Sequence, residues 1–172
     1  MSVWITSDLH FNHANMVSKY GRDCFASTKD MNNTLIENWN SSIAHDDIVI
    51  VDGDFFFGAV KSIPAILNQL NGQIFLVVGN HDYKKRIAAM QECGVEIIYN
   101  NLTIFQNGVE FYISHEPVPE DDRDTGKVYL YGHLHDKAPK GFVGNSFHVG
   151  VDTNDYAPVN LAELAEEWKK NR

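Results

Sequence analysis

Cysteine is scarce in this sequence, and its scarcity argues against two kinds of site. Only two cysteines are present; Cys24 and Cys93 are far apart and neither belongs to a Cys-x-x-Cys pattern. A disulfide framework or a thiolate zinc site needs more cysteines at defined spacings. We therefore interpret both residues as free thiols and expect their side chains to be buried.

Long apolar segments are also missing. No run approaches the roughly 18 apolar residues that a membrane span requires. The first residues enter a strand pattern directly, without the basic and apolar regions of a secretory signal. We expect a protein of the cytoplasm with no membrane association.

Positive charge is in short supply, since the formal net charge is −9 at pH 7. Stable binding to duplex nucleic acid needs a concentrated basic surface, so we do not expect it here. Short basic patches at residues 84–86 and at Lys137 and Lys140 are interpreted as solvated faces. A length of 172 residues with 44% hydrophobic content predicts a single domain over residues 1–172.

Strand and helix patterns alternate in the first half of the chain. Apolar β-branched runs predict strands, and apolar residues at helical spacing predict the segments between them. This order is typical of an α/β fold. The predicted strands are residues 3–7, 46–51 and 74–78, and the predicted helices are residues 31–43, 63–70 and 83–93.

The second half is richer in strands. Asn107-Gly108 lies between two alternating runs, residues 102–106 and 109–113, which predicts a β-hairpin. Further strands are predicted at residues 128–131 and 147–151, with a closing helix over residues 161–170. Antiparallel strands added to a parallel start predict either one mixed sheet or two sheets packed together.

Polar clusters follow the predicted strands in a fixed order. Carboxyl ends of strands are where α/β sheets bind ligands, so these clusters are expected to converge on one site. Their carboxylate, imidazole and amide groups suit two divalent metal ions held side by side. The clusters are Asp8-Leu9-His10, Gly53-Asp54, Gly79-Asn80-His81-Asp82, Ser114-His115 and Gly132-His133-Leu134-His135.

This succession of motifs resembles the calcineurin-like metallophosphoesterases, and within them a branch of short, stand-alone bacterial and phage phosphohydrolases. The resemblance covers nearly the whole chain. It implies an α/β fold in which two mixed β-sheets pack as a sandwich flanked by helices, with a dinuclear metal centre. It also implies that Asp8, His10 and His135 bind the first metal, that Asn80, His115 and His133 bind the second, and that Asp54 bridges both.

The same resemblance suggests how the reaction runs. A carboxylate shared by two dications reduces their repulsion, and a metal-bound hydroxide would attack the phosphorus atom in line. His81 is expected to contact the phosphate or to protonate the leaving oxygen, with Asp82 as its orienting partner. Both residues are therefore candidate catalytic residues.

Substrate contacts are harder to read from the sequence. Many larger relatives have an Asp-Arg pair after the Gly-Asp motif, whereas Phe55-Phe56-Phe57 here predicts a bulky apolar wall. Candidate substrate-binding residues are Asn12 and His13, which lie close to the first motif, and Arg22, whose guanidinium suits a phosphate. Glu116, which follows His115, is expected to face solvent.

The leading hypothesis is a metal-dependent phosphoesterase that prefers a phosphodiester, because a small domain without a cap leaves an open site. A phosphomonoesterase, or a nuclease acting on a nucleotide or oligonucleotide, stays open as an alternative. An inactive metal-binding scaffold is disfavoured because all seven ligands and His81 are present. Imidazole and carboxylate ligands accept Mn²⁺, Fe²⁺, Zn²⁺, Ni²⁺ or Co²⁺, and we predict Mn²⁺ first.

Overall fold

Two five-stranded mixed sheets pack face to face in the computed structural model, which describes residues 1–172. The sandwich flanked by helices is therefore confirmed. In the first sheet the strand order is β10-β1-β2-β3-β4, and β1 to β4 are parallel. The strands are β1 (Val3–Thr6), β2 (Ile48–Asp52), β3 (Gln73–Val77), β4 (Glu96–Ile98) and β10 (Val159–Asn160), the last antiparallel to β1.

The second sheet has the order β5-β6-β7-β9-β8. Its strands β6, β7 and β9 are parallel, and β5 and β8 pair antiparallel at the two edges. The predicted hairpin joins β5 to β6, because Asn107 and Gly108 both have the left-handed φ that its tight turn requires. The strands are β5 (Leu102–Gln106), β6 (Val109–Ile113), β7 (Lys127–Tyr131), β8 (Phe142–Val143) and β9 (Ser146–His148).

Five α-helices flank the sandwich. They are α1 (Ala14–Lys19), α2 (Thr28–Ser42), α3 (Ile63–Leu67), α4 (Lys84–Glu92) and α5 (Leu161–Lys170). Ser27 caps α2 by accepting from the Asp30 N–H, and Asn160 caps α5 by accepting from two N–H groups. Such caps satisfy donors that have no partner inside the helix. No helix is long and apolar enough to cross a bilayer.

The first sheet separates two apolar cores. One core joins α2, α3 and α4 to the outward face of β2 and β3, with Trp39 fully buried at its centre. The other lies between the sheets, where Ile50 and Val77 meet Phe111 and Leu130. Packing on both faces fixes the register of the parallel strands, and with it the positions of the loops at their carboxyl ends.

The structure differs from the sequence-based predictions for the two cysteines and for the end of β9. Cys24 and Cys93 are free, but both are exposed, so their predicted burial is wrong. Cys93 follows the last residue of α4 and Cys24 lies in the loop between α1 and α2, outside the packed faces. The strand predicted over residues 147–151 ends at His148, because the chain turns into a short 3₁₀ helix at Val151–Thr153.

Candidate metal centre

The polar clusters meet at one edge of the sandwich. They follow the carboxyl ends of three parallel strands of the first sheet and two of the second. The structure thus brings together all seven predicted ligands, separated by up to 127 positions along the chain between Asp8 and His135. Their role as metal ligands remains a prediction.

The first predicted set comprises Asp8, His10 and His135. One donor atom from each lies within 4.8 Å of the others. Asp8 is fixed by its Oδ2, which accepts from the Ser7 hydroxyl and from the His133 N–H, each at 2.9 Å. Its Oδ1 has no hydrogen-bond partner and lies 3.9 Å from Nε2 of His135.

The second predicted set comprises Asn80, His115 and His133. The Asn80 amide oxygen lies 2.9 Å from Nε2 of His115 and 3.1 Å from Nδ1 of His133. Nδ1 of His115 is 2.7 Å from the Asp52 carbonyl, which leaves its Nε2 directed at the site. A ring nitrogen held in this way fixes the orientation of a ligating histidine.

Asp54 lies between the two sets. Its Oδ2 is 3.5 Å from Nε2 of His10 and 3.5 Å from Nε2 of His115. Its Oδ1 accepts from the His81 N–H at 2.8 Å. Asp8, Asp54 and His115 also have donor atoms within 4.8 Å of one another, so the two sets adjoin.

The buried polar atoms of the site fit divalent cations. Asp8 Oδ1 and both ring nitrogens of His10 are buried without any hydrogen-bond partner. Buried polar atoms are rarely left in this condition because each costs about 1–3 kcal/mol. A bound cation would supply the missing partner, and imidazoles with carboxylates suit transition-metal dications.

Charge in the centre is divided between neighbouring groups. Burial lowers the pKa of His10 to about 2, so its imidazole is neutral and free to ligate. Burial acts against ionisation of Asp54, but the contact with His115 and the hydrogen bond from the His81 N–H outweigh it and lower the pKa of Asp54 to about 2. Burial likewise opposes protonation of His115, yet Asp54 and Asp8 raise its pKa to about 10. A cation arriving at Nε2 of His115 must therefore displace a proton.

Five of the seven predicted ligands have a left-handed backbone. The φ angles of Asp8, His10, Asp54, His133 and His135 lie between 49° and 69°. Non-glycine residues adopt this region infrequently, although Asp, Asn and His do so more readily than most. Strained backbone of this kind clusters at functional sites.

Gly132 lets two of these strained loops approach each other. A Cβ atom at this position would lie 2.6 Å from Oδ2 of Asp8 and would overlap the Ser7 hydroxyl. No side chain fits there without moving Asp8. The glycine before His133 is thus required by close packing of the β1 and β7 loops.

Two clefts border the centre. The larger one, about 640 Å³, is lined by His10 and His135 of the first set together with Asp54, His81 and His133. The smaller one, about 390 Å³, contains Asn80 and His115. Outside the motifs, the larger cleft is lined by His13, Lys19, Tyr20, Phe57 and Lys137, among others. The smaller cleft is lined outside the motifs by Asn100 and the exposed Glu116, among others.

One wall of the larger cleft is an aromatic stack. The His13 ring lies parallel to the Phe57 ring at 3.5 Å, and the His81 ring meets Phe57 at 5.4 Å. Burial lowers the pKa of His13 to about 4. Of the three phenylalanines expected to form a wall, only Phe57 does so, because Phe55 and Phe56 are buried in the core.

The Asn12 side chain points away from the larger cleft, so its predicted contact with substrate is wrong. Its side chain donates to the Ser62 hydroxyl at 2.9 Å and accepts from the Asn32 amide at 2.7 Å. It therefore lines a separate groove beside α2. The residue follows His10 closely, but the left-handed turns at both positions send the two side chains apart.

Asp82 does not orient His81. Its carboxylate accepts from the N–H groups of Asp54, Phe55 and Gly79, at distances of 2.8 to 3.2 Å. Nδ1 of His81 is buried without a partner. Burial raises the pKa of Asp82 to about 6. This residue ties the loop after β2 to the loop after β3, which corrects its predicted catalytic role.

Arg22 does not face a cleft either. Its side chain is completely buried, and its guanidinium forms a two-point ion pair with Asp152 at 2.7 and 2.8 Å. The predicted clamp on a substrate phosphate is therefore wrong. Asp152, which sequence reasoning missed, also accepts from Nδ1 of His135 at 3.0 Å.

Comparisons with known proteins identify a family and similar folds. A family model described as calcineurin-like phosphoesterase matches residues 1–137. Protein MJ1445 of Methanocaldococcus jannaschii is 31% identical, over 99% of this chain and 93% of the relative. Among solved structures, AQ665 from Aquifex aeolicus has a TM-score of 0.73 at 21% identity, covering 96% of this chain and 98% of its own. Yfce, a phosphoesterase from E. coli, has a TM-score of 0.52 at 17% identity, covering 87% and 78%.

Proposed function

The chain belongs to the calcineurin-like phosphoesterase family, and on that premise we propose that residues 1–172 form one domain that hydrolyses phosphodiesters with two divalent cations. Membership supports a metal-dependent hydrolase of phosphate esters. The use of two cations, the diester preference and the ligand roles are the further steps that the geometry supports.

The position of Asp54 carries the proposal. A single carboxylate oxygen lies 3.5 Å from a histidine of each predicted ligand set, as a bridging ligand would. Asp8, His10 and His135 would hold one cation, and Asn80, His115 and His133 the other. Two cations held there would supply a nucleophile from water near neutral pH and neutralise charge on the phosphate oxygens.

His81 is proposed to act on the leaving group. It lines the larger cleft, and its backbone N–H donates to Asp54, which sets the imidazole beside the centre. Arg86 fixes this segment by donating to the carbonyl oxygens of His81 and Phe57. Nδ1 of His81 is buried without a partner, so the ring is not held by another side chain at that atom. It is free to protonate the leaving oxygen or to contact the phosphate.

The two clefts support a diester as the substrate. A phosphodiester carries two substituents, and the centre opens on one side to the cleft of Phe57 and on the other to the cleft of Asn100. Phe57 and the exposed ring of Tyr20 offer aromatic surface, while Lys19 and Lys137 add positive charge. These features favour a nucleotide or short oligonucleotide in the larger cleft.

A paired assay tests the proposal. Protein stripped with a chelator is reloaded with Mn²⁺, then with each alternative dication, and assayed on bis(p-nitrophenyl) phosphate and p-nitrophenyl phosphate. We expect a higher kcat/KM for the diester, and a loss of about 10²-fold or more in Asp54→Asn, which removes the shared charge. Asp155→Asn is the matched control, because Asp155 is exposed on the surface.

The outcomes are distinct. Undiminished turnover in Asp54→Asn overturns the proposed site, and a preference for the monoester overturns the diester assignment. Binding of two cations with no hydrolysis of aryl esters, nucleotides, cyclic nucleotides or oligonucleotides would instead identify a scaffold.

A further inference from the structure

Arg22 uses every donor of its guanidinium inside the protein. Nε and Nη2 donate to the two carboxylate oxygens of Asp152 at 2.7 and 2.8 Å. Nη2 also donates to the Asp8 carbonyl at 2.6 Å, and Nη1 to the Leu9 carbonyl at 3.0 Å. The remaining Nη1 donor is 3.7 Å from the Met31 sulfur. All five N–H groups are thereby matched.

Asp152 connects Arg22 to His135, a predicted ligand of the first cation. Its Oδ2 accepts from Nδ1 of His135 at 3.0 Å, which leaves Nε2 of His135 facing Asp8. The Asp152 side chain is buried, and its two oxygens are paired with Nε and Nη2 of Arg22. An ionised carboxylate at this position fixes both the tautomer and the ring plane of the histidine.

The same guanidinium fixes the other side of the first ligand set. Asp8 and His10 lie on left-handed backbone, and the two carbonyls that Arg22 binds belong to Asp8 and to the residue between them. Held carbonyls keep a strained turn in one conformation. The buried guanidinium of Arg22 therefore contacts the β1 loop directly and the His135 loop through Asp152.

We propose that Arg22 and Asp152 are positioning residues that pre-organise the first cation site and leave the second site independent. The inference rests on the proposed function in taking two cation sites as given. The ring nitrogens of His115 and His133 contact the Asp52 carbonyl and the Asn80 amide, and Arg22 and Asp152 contact none of the three members directly. The second set is linked to the first by the His133 N–H, which donates to Oδ2 of Asp8, the oxygen that the Ser7 hydroxyl also holds.

Lysine cannot take the place of Arg22. It has three donors on a single nitrogen and lacks the planar fork that matches a carboxylate at two points. The Arg22→Lys variant would retain the buried charge, but its ammonium group could not bind Asp152 and both carbonyls together. This substitution thus keeps the charge while removing the geometry.

Cation binding is measured by titration calorimetry with Mn²⁺ on chelator-stripped protein, together with electron paramagnetic resonance. We expect two ions per wild-type chain with a spin-coupled signal. In Arg22→Met and in Asp152→Asn, one site should weaken by about 10–100-fold and the signal should become that of isolated Mn²⁺. Arg22→Lys should weaken Mn²⁺ binding at the same site. If the other two variants fail to fold, the Mn²⁺ affinities of Arg22→Lys test the proposal.

Arg123→Met is the matched control. Arg123 also bonds to a carbonyl and a hydroxyl, but these belong to Val118 and Ser146, and neither is a predicted ligand. The variant should lose stability while binding both ions as the wild type does.

Equal weakening of both sites, or unchanged affinities in Arg22→Lys, overturns the inference without touching the proposed hydrolysis. A third outcome overturns the proposed function alone. In it, the wild type binds two ions and the variants lose affinity at one site only, but the wild type hydrolyses no phosphate ester. Wild-type protein that binds one ion overturns both.

Discussion

The side-chain oxygen of Asn80 lies 3.1 Å from Nδ1 of His133, although 53 positions separate the two residues. The contact joins the loop after β3 in one sheet to the loop after β7 in the other. Asn80 is exposed at the centre, so its amide is available to a ligand as well as to the histidines.

Asn80→Ala is therefore expected to remove one oxygen from the second cation site. We predict a fall in diester kcat/KM of at least about 10²-fold, with one Mn²⁺ lost per chain by calorimetry. Asn100→Gly is the control, since Asn100 lines the same smaller cleft and glycine accepts its left-handed φ of 88°. Equal losses in the two variants would contradict a specific role for Asn80.

His81→Ala should separate chemistry from cation binding. Because the imidazole is proposed to protonate the leaving oxygen, we predict a fall in kcat of about 10²–10⁴-fold with two Mn²⁺ still bound. The loss should be smaller for a p-nitrophenolate leaving group, which leaves without a proton, than for an alkoxide. The same loss for both leaving groups would assign His81 to phosphate binding.

Gly132→Ala tests the close approach of the β1 and β7 loops. The added methyl would collide with Ser7 and Asp8, and relieving such a collision costs about 1–3 kcal/mol. We expect lower stability in urea and weaker Mn²⁺ binding. Gly126→Ala is the control, because its added Cβ would meet only the Asp124 side chain, at 3.2 Å, and no atom of a predicted ligand.

The contribution of the Arg22–Asp152 ion pair to stability should depend on pH. The pKa of Asp152 is held below its ordinary value of 3.8, so its contribution to stability is present above that pH and is lost as the pH falls further. Asp152→Asn should cost about 3–5 kcal/mol at pH 7 in metal-free protein. Its difference from wild type should shrink in urea unfolding below pH 3.8. A difference independent of pH would count against the pair.

The two thiols should react in the native protein. Cys24 and Cys93 are exposed and free, so a thiol reagent should label two sites per chain before any unfolding. Cys24→Ser and Cys93→Ser should each remove one label and leave hydrolysis unchanged. Labelling only after addition of urea would contradict the exposure of these residues.

Long apolar strands were predictable because burial on both faces leaves a continuous signal in the sequence. The helix over residues 161–170 was predicted with its bounds, and the hairpin was predicted from Asn107-Gly108. The strands β8 and β10, with two residues each, carry no pattern of their own and form only because a neighbour pairs with them. The six-residue α1 is likewise too short to show a helical period.

At the site, sequence patterns identified the residues in compact motifs, missed Asp152, and assigned Arg22 a substrate contact that its ion pair with Asp152 rules out. Arg22 and Asp152 are 130 positions apart, so neither suggests the other. Asp82 is adjacent to His81, yet a tight turn directs its carboxylate to three backbone N–H groups. Phe55, Phe56 and Phe57 are equally apolar, and only the backbone decides which one reaches the cleft.

The left-handed backbone of five predicted ligands limits which residues could replace them. A replacement at Asp8, His10, Asp54, His133 or His135 must both offer a donor atom and tolerate positive φ. Asp, Asn and His meet the two conditions together, whereas valine and isoleucine meet neither. Exchanging one metal preference for another by directed evolution should therefore proceed through the supporting residues and the cleft walls.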